Sequence, residues 1–247
     1  MSYQSIICSK KDHIGFITLN RPNAENRINM QMAQEMAEVC TLINQDEDLY
    51  LAVITGAGKV FSAGTEDSEE RSSLNPVGSV AEITKPIIAA INGDCLGQGL
   101  EIALACDIQI AAEDARFGLP QIINGLIPSD GGTQRLPRIV GRGKALEMLF
   151  TGDTIDAKTA FEIGLVNRIF PAGSLAKEAE ALAQAIASKA PIALRFAKEA
   201  VLSGLDLTTE QGLRLEADLY FLLHSTSDRV EGIKSFLAKK KPDFKGK

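Results

Sequence analysis

Strand patterns alternate with helix patterns over about the first two thirds of this 247-residue chain, and this alternation limits the fold more than any other feature. Apolar and polar residues alternate in residues 14–20, which predicts a half-buried strand. Apolar residues recur at helical spacing in residues 30–46, which predicts an amphipathic helix. Such alternation predicts an α/β core. Helical patterns dominate after Asp156, so we expect helices to follow that core.

The same patterns predict the remaining elements. The further predicted strands are residues 5–9, 50–55, 87–91 and 107–111. The further predicted helices are residues 79–84, 97–106, 136–151, 157–163, 174–189, 191–203, 208–224 and 227–238. Residues 115–118 and 127–135 are predicted to be irregular, and the polar stretch that begins at Thr65 is predicted to be mobile through Gly78.

Composition excludes several classes of function. The net charge of −6, the absence of Trp and the low aromatic content argue against a nucleic-acid partner. No charged segment precedes a long apolar run at the N-terminus, and no apolar run is long enough to cross a membrane. The four cysteines lie far apart without metal-binding spacing, so each is predicted to be an isolated thiol. We therefore expect a cytoplasmic protein with no metal and no membrane partner.

One carboxylate stands in an apolar segment. Glu101 follows Gly97 and Gly99 in the sequence INGDCLGQGLEIALACDI. A charge in such a setting is costly unless it is paired, hydrogen-bonded or used in chemistry. Glycines ahead of a helix let backbone N–H groups approach a ligand that develops negative charge. The pattern suits proton transfer next to a carbonyl, although a carboxylate stabilised by a helix N-terminus is the structural alternative.

Several motifs together resemble those of the crotonase superfamily, and of enoyl-CoA hydratases in particular. They are LNRPNAENRIN (residues 19–29), TGAGKVFSAGTE (55–66), KPIIAAINGDCLGQGLEIALACDI (85–108), ARFGLPQIINGLIPSDGGTQRLPRIVG (115–141), TGDTIDAKTAFEIGLVNRIFP (151–171) and STSDRVEGIKSFLAKKKPDFKG (225–246). The resemblance covers nearly the whole chain. It implies a spiral of ββα units over residues 1–190 and a C-terminal helical region, residues 191–247, that forms a homotrimer or a homohexamer built as a dimer of trimers.

The resemblance also implies an acyl-CoA substrate and a set of site residues. The backbone N–H groups of Thr65 and Gln98 would hold the thioester oxygen, and Glu101 would act as the acid or base. Coenzyme A is then part of the substrate, and no separate cofactor is needed. The residues expected to contact coenzyme A, the last two from this subunit or from a neighbour, are Asn23, Ala24, Glu25, Lys59, Ala63, Tyr220 and Lys239.

Three positions depart from the family pattern. Gln121 stands where hydratases have a second glutamate, and an amide can orient water but cannot transfer a proton. Asp130 stands where a small residue is usual, so it is either a second acid–base group or a turn former ahead of Gly131. Gln98 replaces a glycine, so its side chain must point away from the thioester.

The resemblance implies an enoyl-CoA hydratase-like lyase of fatty acid metabolism. It acts on an unsaturated acyl-CoA through a thioester enolate, with Glu101, Gln121 and Asp130 as the catalytic side chains. Two alternatives stay open. An enoyl-CoA isomerase would use the same enolate and is favoured by Gln121. A non-catalytic protein of the same fold would bind coenzyme A without turnover, although the retained Glu101 counts against it.

Overall fold

The computed structural model describes residues 3–66 and 75–247, and those residues form nine strands and ten helices. The strands are β1 (Ile6–Lys11), β2 (Ile14–Leu19), β3 (Leu51–Gly56), β4 (Ile87–Ile91), β5 (Cys95–Leu96), β6 (Ile108–Ala112), β7 (Arg116–Gly118), β8 (Ile155–Asp156) and β9 (Arg168–Phe170). The helices are α1 (Met30–Gln45), α2 (Pro76–Ala81), α3 (Gln98–Ala105), α4 (Gly132–Val140), α5 (Arg142–Thr151), α6 (Ala157–Glu162), α7 (Leu175–Ala187), α8 (Pro191–Gly204), α9 (Thr209–Leu222) and α10 (Ser227–Leu237).

The main sheet has six strands in the order β1-β2-β3-β4-β6-β9. β1 and β2 form an antiparallel hairpin, turned by Asp12 and His13 with φ angles of +50° and +67°. All other neighbours in this sheet are parallel. Parallel neighbours need long crossover connections, and α1 and α3 supply two of them. The strands predicted from the sequence therefore account for five of the six strands of this sheet, and β9 has no predicted counterpart.

Apolar side chains fill both faces of the main sheet. Along β3, Ala52 and Ile54 belong to the core on the side of α1, whereas Leu51 and Val53 belong to the core on the side of α7. Every residue of β4 is buried. A strand that is covered on both faces has a continuous apolar sequence rather than an alternating one. Residues 87–91 have this continuous apolar pattern.

A small second sheet has the order β5-β7-β8. β5 pairs in parallel with β7, and Gly97, the residue after β5, donates from its N–H to the carbonyl of Gly118 at 2.9 Å. This sheet corrects the expectation that residues 115–118 are irregular. Its strands have two or three residues each, too few to show a period in the sequence. β9, another three-residue strand, was also not predicted.

The helix predicted over residues 136–151 is wrong as a single element. Two helices cover the region, α4 and α5, and they meet at Gly141, whose φ of +80° and ψ of 158° break the helical path. α4 begins inside the stretch predicted to be irregular. The helix predicted over residues 79–84 lies earlier, over Pro76–Ala81, because proline suits a first helical turn and Asn75 caps it.

That shift also corrects the expectation of mobility through Gly78, which lies in α2. Residues 67–74, the rest of the stretch predicted to be mobile after Glu66, lie outside the described part of the chain.

The helices that follow Pro191 expose many large apolar side chains. α8 packs against α9. The exposed residues of this region include Val201, Leu205, Leu213, Phe221, Phe236 and Leu237. A surface of this kind is typical of a contact with another protein chain. The domain boundary at residue 190 stays a prediction.

Candidate active site

A cavity of about 580 Å³ lies beside the carboxyl ends of the central strands. Its wall comes from the segments that follow β2, β3 and β5, and from residues 120–130. Ligands bind preferentially at this edge of parallel sheets, because the connecting loops and helix N-termini converge there. The lining residues that concern the chemistry are Thr65, Gln98, Gln121 and Asp130.

Two backbone N–H groups lie on adjoining segments of this wall. Gly64 and Gly97 have φ angles of +104° and +52°, and a Cβ atom on Gly97 would lie 3.4 Å from the Cα atom of Gly64. Neither the Thr65 N–H nor the Gln98 N–H donates a hydrogen bond to a residue in 3–66 or 75–247. The Gln98 N–H is free because Gln98 opens α3 and has no helical acceptor. Both N–H groups are therefore available to a ligand.

Glu101 lies in the first turn of α3 and is 1% exposed. Its Oε1 atom accepts hydrogen bonds from the N–H groups of Asp130 and Gly132, both at 2.8 Å. Burial raises the pKa of Glu101 above its usual range. These two hydrogen bonds partly offset that rise, and the charge of Asp130 adds to it. A carboxyl group with a raised pKa suits proton transfer near neutral pH.

The side chain of Gln98 connects two parts of the cavity wall. Its Nε2 atom donates to Oδ2 of Asp130 at 2.5 Å, and its Oε1 atom accepts from the Thr65 hydroxyl at 3.2 Å. The carbonyl of Asp130 accepts from the guanidinium of Arg135 at 2.8 Å. The structure therefore brings together Thr65, Gln98, Glu101 and Asp130, although the sequence scatters them over more than sixty residues.

Gln121 lies near Gly97, in a short 3-10 helix over Pro120–Asn124. Its Nε2 atom is 3.8 Å from the point that a Cβ atom on Gly97 would occupy. Its Oε1 atom is buried and has no hydrogen-bond partner in the described structure. A buried acceptor without a donor is costly, so this oxygen is suited to a donor that arrives with a ligand or with water.

Comparison with known proteins decides the family. The sequence model of the Enoyl-CoA hydratase/isomerase family matches residues 9–247. This chain belongs to that family. The chain is 38% identical to the crotonyl-CoA hydratase of Syntrophomonas wolfei, with 99% of each chain covered. It is 38% identical to the 2,3-dehydroadipyl-CoA hydratase of Escherichia coli, with 98% of this chain and 99% of that protein covered.

The solved structures agree with the sequence comparison. The crystal structure of an enoyl-CoA hydratase from Bacillus anthracis superposes with a TM-score of 0.94 at 38% identity, covering 99% of this chain and 100% of that one. The fold is therefore that of the crotonase superfamily, and the C-terminal helices belong to it. The resemblance found in the sequence is confirmed for the family, for the fold class and for the assignment as an enzyme.

Of the residues expected to contact coenzyme A, Ala63 lines the cavity, and it is hydrogen-bonded to the loop that contains Asn23, Ala24 and Glu25. Asn23 and Ala24 form a one-turn 3-10 helix, which Glu25 ends with a φ of +52°. Ala63 lines the cavity, and its N–H donates to the carbonyl of Glu25 at 3.0 Å. The fifth, Lys59, is exposed in the segment after β3.

The other two residues expected to contact coenzyme A, Tyr220 and Lys239, lie in the C-terminal helical region of this chain. Tyr220 is 65% exposed and lines a second cavity of about 320 Å³ among the C-terminal helices. Lys239 is exposed after α10. Neither residue lines the cavity beside the central strands, and their contact with coenzyme A, from this subunit or from a neighbour, stays a prediction.

Sequence reasoning missed several lining residues. Arg27 and Asn29 stand inside the family motif LNRPNAENRIN, so their place in the wall follows from the loop that this motif forms. Met30, Ile123 and Leu126 add apolar surface. The last two belong to an exposed apolar stretch, and that exposure is visible only in the structure.

The described residues contain neither a metal-binding cluster nor a membrane-spanning helix. Residues 3–66 and 75–247 contain no group of three or more side chains able to hold a metal ion. No helix in the same residues combines the length and the apolar character needed to span a membrane.

Proposed function

We propose that this protein is an enoyl-CoA hydratase that adds water across the double bond of a 2-enoyl-CoA. The proposal depends on the buried carboxyl group of Glu101, which lies three residues after Gln98 in the first turn of α3, and on the N–H groups of Thr65 and Gln98, which donate to no residue in 3–66 or 75–247. The first is a proton-transfer group, and the other two are donors for a developing oxyanion.

The thioester oxygen is held by the N–H groups of Thr65 and Gln98. As electron density moves from the double bond onto this oxygen, both hydrogen bonds strengthen. One donor of this kind contributes about 3–4 kcal/mol to a transition state. Because the donors belong to a glycine-containing backbone that is already in position, they do not have to reorganise during the reaction.

Glu101 acts twice in this mechanism. Its carboxylate accepts a proton from water as the water oxygen bonds to the β carbon and the π electrons move to the thioester oxygen. When the enolate collapses, Glu101 returns that proton to the α carbon, so one hydroxyl group and one hydrogen are added in total. Oε1 is held by two N–H groups, which leaves Oε2 for the proton. Oε1 of Gln121 accepts a hydrogen bond from the attacking water.

Incubation with crotonyl-CoA tests this proposal. Hydration removes the conjugated thioester absorbance and increases the product mass by one water. If neither the absorbance nor the mass changes with substrates of several chain lengths, and coenzyme A still binds tightly, the non-catalytic alternative is identified. The acyl chain stays open, because the relatives named above act on a four-carbon and on a dicarboxylic acyl group, as their names state.

An isomerase is the second candidate, and Gln121 favours it because an amide at this position can orient water but cannot transfer a proton. In that reaction Glu101 takes a proton from one carbon and returns it to another. A 3-enoyl-CoA in deuterated water separates the two reactions. Conversion to the 2-enoyl isomer without addition of water would replace the hydratase proposal.

The raised pKa of Glu101 gives a pH prediction. A base must be deprotonated to act, so kcat/KM is expected to rise with pH through the pKa of Glu101 in the free enzyme. Since burial raises this pKa, the rise is expected above the pH range in which an exposed glutamate titrates. Measurement of kcat/KM from acid to neutral pH checks this. An acid limb in the ordinary glutamate range would contradict it.

The exposed apolar side chains of α8, α9 and α10 support a further proposal, assembly into a homotrimer or a dimer of trimers. Light scattering on the purified protein tests it, and a monomer at micromolar concentration would contradict it. Location in the cytoplasm is proposed from composition alone.

A further inference from the structure

The side chain of Gln98 joins the two halves of the catalytic wall. Its amide oxygen accepts from the Thr65 hydroxyl, on the segment that carries one oxyanion N–H. Its amide nitrogen donates to the carboxylate of Asp130, on the segment whose backbone holds Glu101. One side-chain amide therefore links the segment that binds the thioester oxygen to the segment that holds the base.

We infer that Gln98 is a positioning residue for the proposed hydration, acting through Asp130, and that the Asp130 carboxylate serves as an anchor rather than as an acid or base. The inference rests on the proposed function. It assigns to the Gln98 side chain a role separate from that of its backbone N–H.

Two hydrogen bonds made by Asp130 support this assignment. Oδ2 of Asp130 accepts a 2.5 Å hydrogen bond from Gln98, so the carboxylate is held on the side that faces α3. The N–H of the same residue holds Oε1 of Glu101 at 2.8 Å, so displacement of the Asp130 segment displaces the base. Arg135 fixes the Asp130 carbonyl as well, which leaves this residue held at its side chain, N–H and carbonyl.

Substitution separates an anchor from an acid or base. An asparagine at position 130 still offers an oxygen to Nε2 of Gln98, whereas an alanine offers none. If Asp130 is an anchor, Asp130→Asn is expected to retain more activity than Asp130→Ala, and Gln98→Ala is expected to match Asp130→Ala. Hydrogen bonds to charged groups are strong enough for a loss in kcat of about tenfold or more in the two alanine variants. KM is expected to change little, because the backbone donors remain.

The test measures kcat and KM with crotonyl-CoA for Gln98→Ala, Asp130→Ala, Asp130→Asn and the double variant Gln98→Ala/Asp130→Ala. Gln134→Ala, an exposed glutamine on α4, is the matched control. Because both alanine variants break the same hydrogen bond, the double variant is expected to lose no more than either single variant. Urea unfolding of each variant shows whether the fold is retained.

Each outcome has one meaning. An inactive wild-type protein would contradict the proposed function itself. An active wild type with an unchanged Gln98→Ala variant would overturn this inference alone. Equal and severe losses in Asp130→Asn and Asp130→Ala, with Gln98→Ala near wild type, would also overturn it and would assign proton transfer to Asp130. Additive losses in the double variant would show that the two residues act separately.

Discussion

Glu101→Gln is expected to lower kcat by about a thousandfold, which is within the usual range for loss of a positioned general base. Glutamine has the shape of glutamate and keeps an oxygen for the N–H groups of Asp130 and Gly132, so the local structure is expected to persist. It cannot accept a proton from water. Affinity for coenzyme A is expected to stay within severalfold of wild type, because the contacts expected for coenzyme A come from other residues and the substitution keeps the shape of the side chain.

Steady-state kinetics and calorimetric titration with coenzyme A measure these two effects. Glu113→Gln, an exposed glutamate, is the matched control and is expected to behave as wild type. Turnover that survives in the Glu101→Gln variant would remove this residue from the mechanism. Joint loss of turnover and of folding would leave the base unidentified, so circular dichroism of the variant belongs to the same experiment.

Gly97→Ala is expected to lower kcat by about a hundredfold, the loss seen when one oxyanion donor is removed from an enzyme. Gly97 has a φ of +52° and a ψ of −127°, a backbone conformation that a side chain strains. The added Cβ atom would also lie 3.4 Å from the Cα atom of Gly64. That distance is an ordinary contact, so the strain lies in the backbone of Gly97, and its relief is expected to displace the N–H of Gln98, the next residue.

Gly143→Ala is the matched control for this substitution. Gly143 lies inside α5, where an added Cβ atom meets no other atom within 4 Å. This variant is expected to keep full turnover and to gain about 0.5–1 kcal/mol in free energy of unfolding. Equal kinetics for Gly97→Ala and Gly143→Ala would contradict the assignment of the two N–H groups to the thioester oxygen.

The sequence predicts the long elements of this fold well. Residues 30–46 and 87–91 carry enough period and enough burial to identify α1 and β4. β7 and β9 escape prediction because three residues show no period, and they form through pairing with strands distant in the sequence. The break at Gly141 is also missed, since a helical pattern continues on both sides of it.

For the candidate site too, the sequence predicts some features and not others. Motif position is enough to select Glu101 and the segments that carry Thr65 and Gln98, because their roles follow from backbone placement in the fold. The direction of the Gln98 side chain depends on Asp130, which is 32 residues away, and no local pattern encodes that contact. The unpaired oxygen of Gln121 is likewise a property of its buried surroundings.

The stretching frequency of the thioester carbonyl tests most directly whether the N–H groups of Thr65 and Gln98 bind its oxygen. Infrared difference spectra of crotonyl-CoA labelled with 13C at this carbonyl, bound to the Glu101→Gln variant, record its stretching frequency without turnover. Two N–H donors that polarise the carbonyl are expected to move the band to lower frequency than in water, and addition of Gly97→Ala is expected to reverse much of that change. A bound carbonyl that absorbs at the frequency of the free thioester would contradict the account.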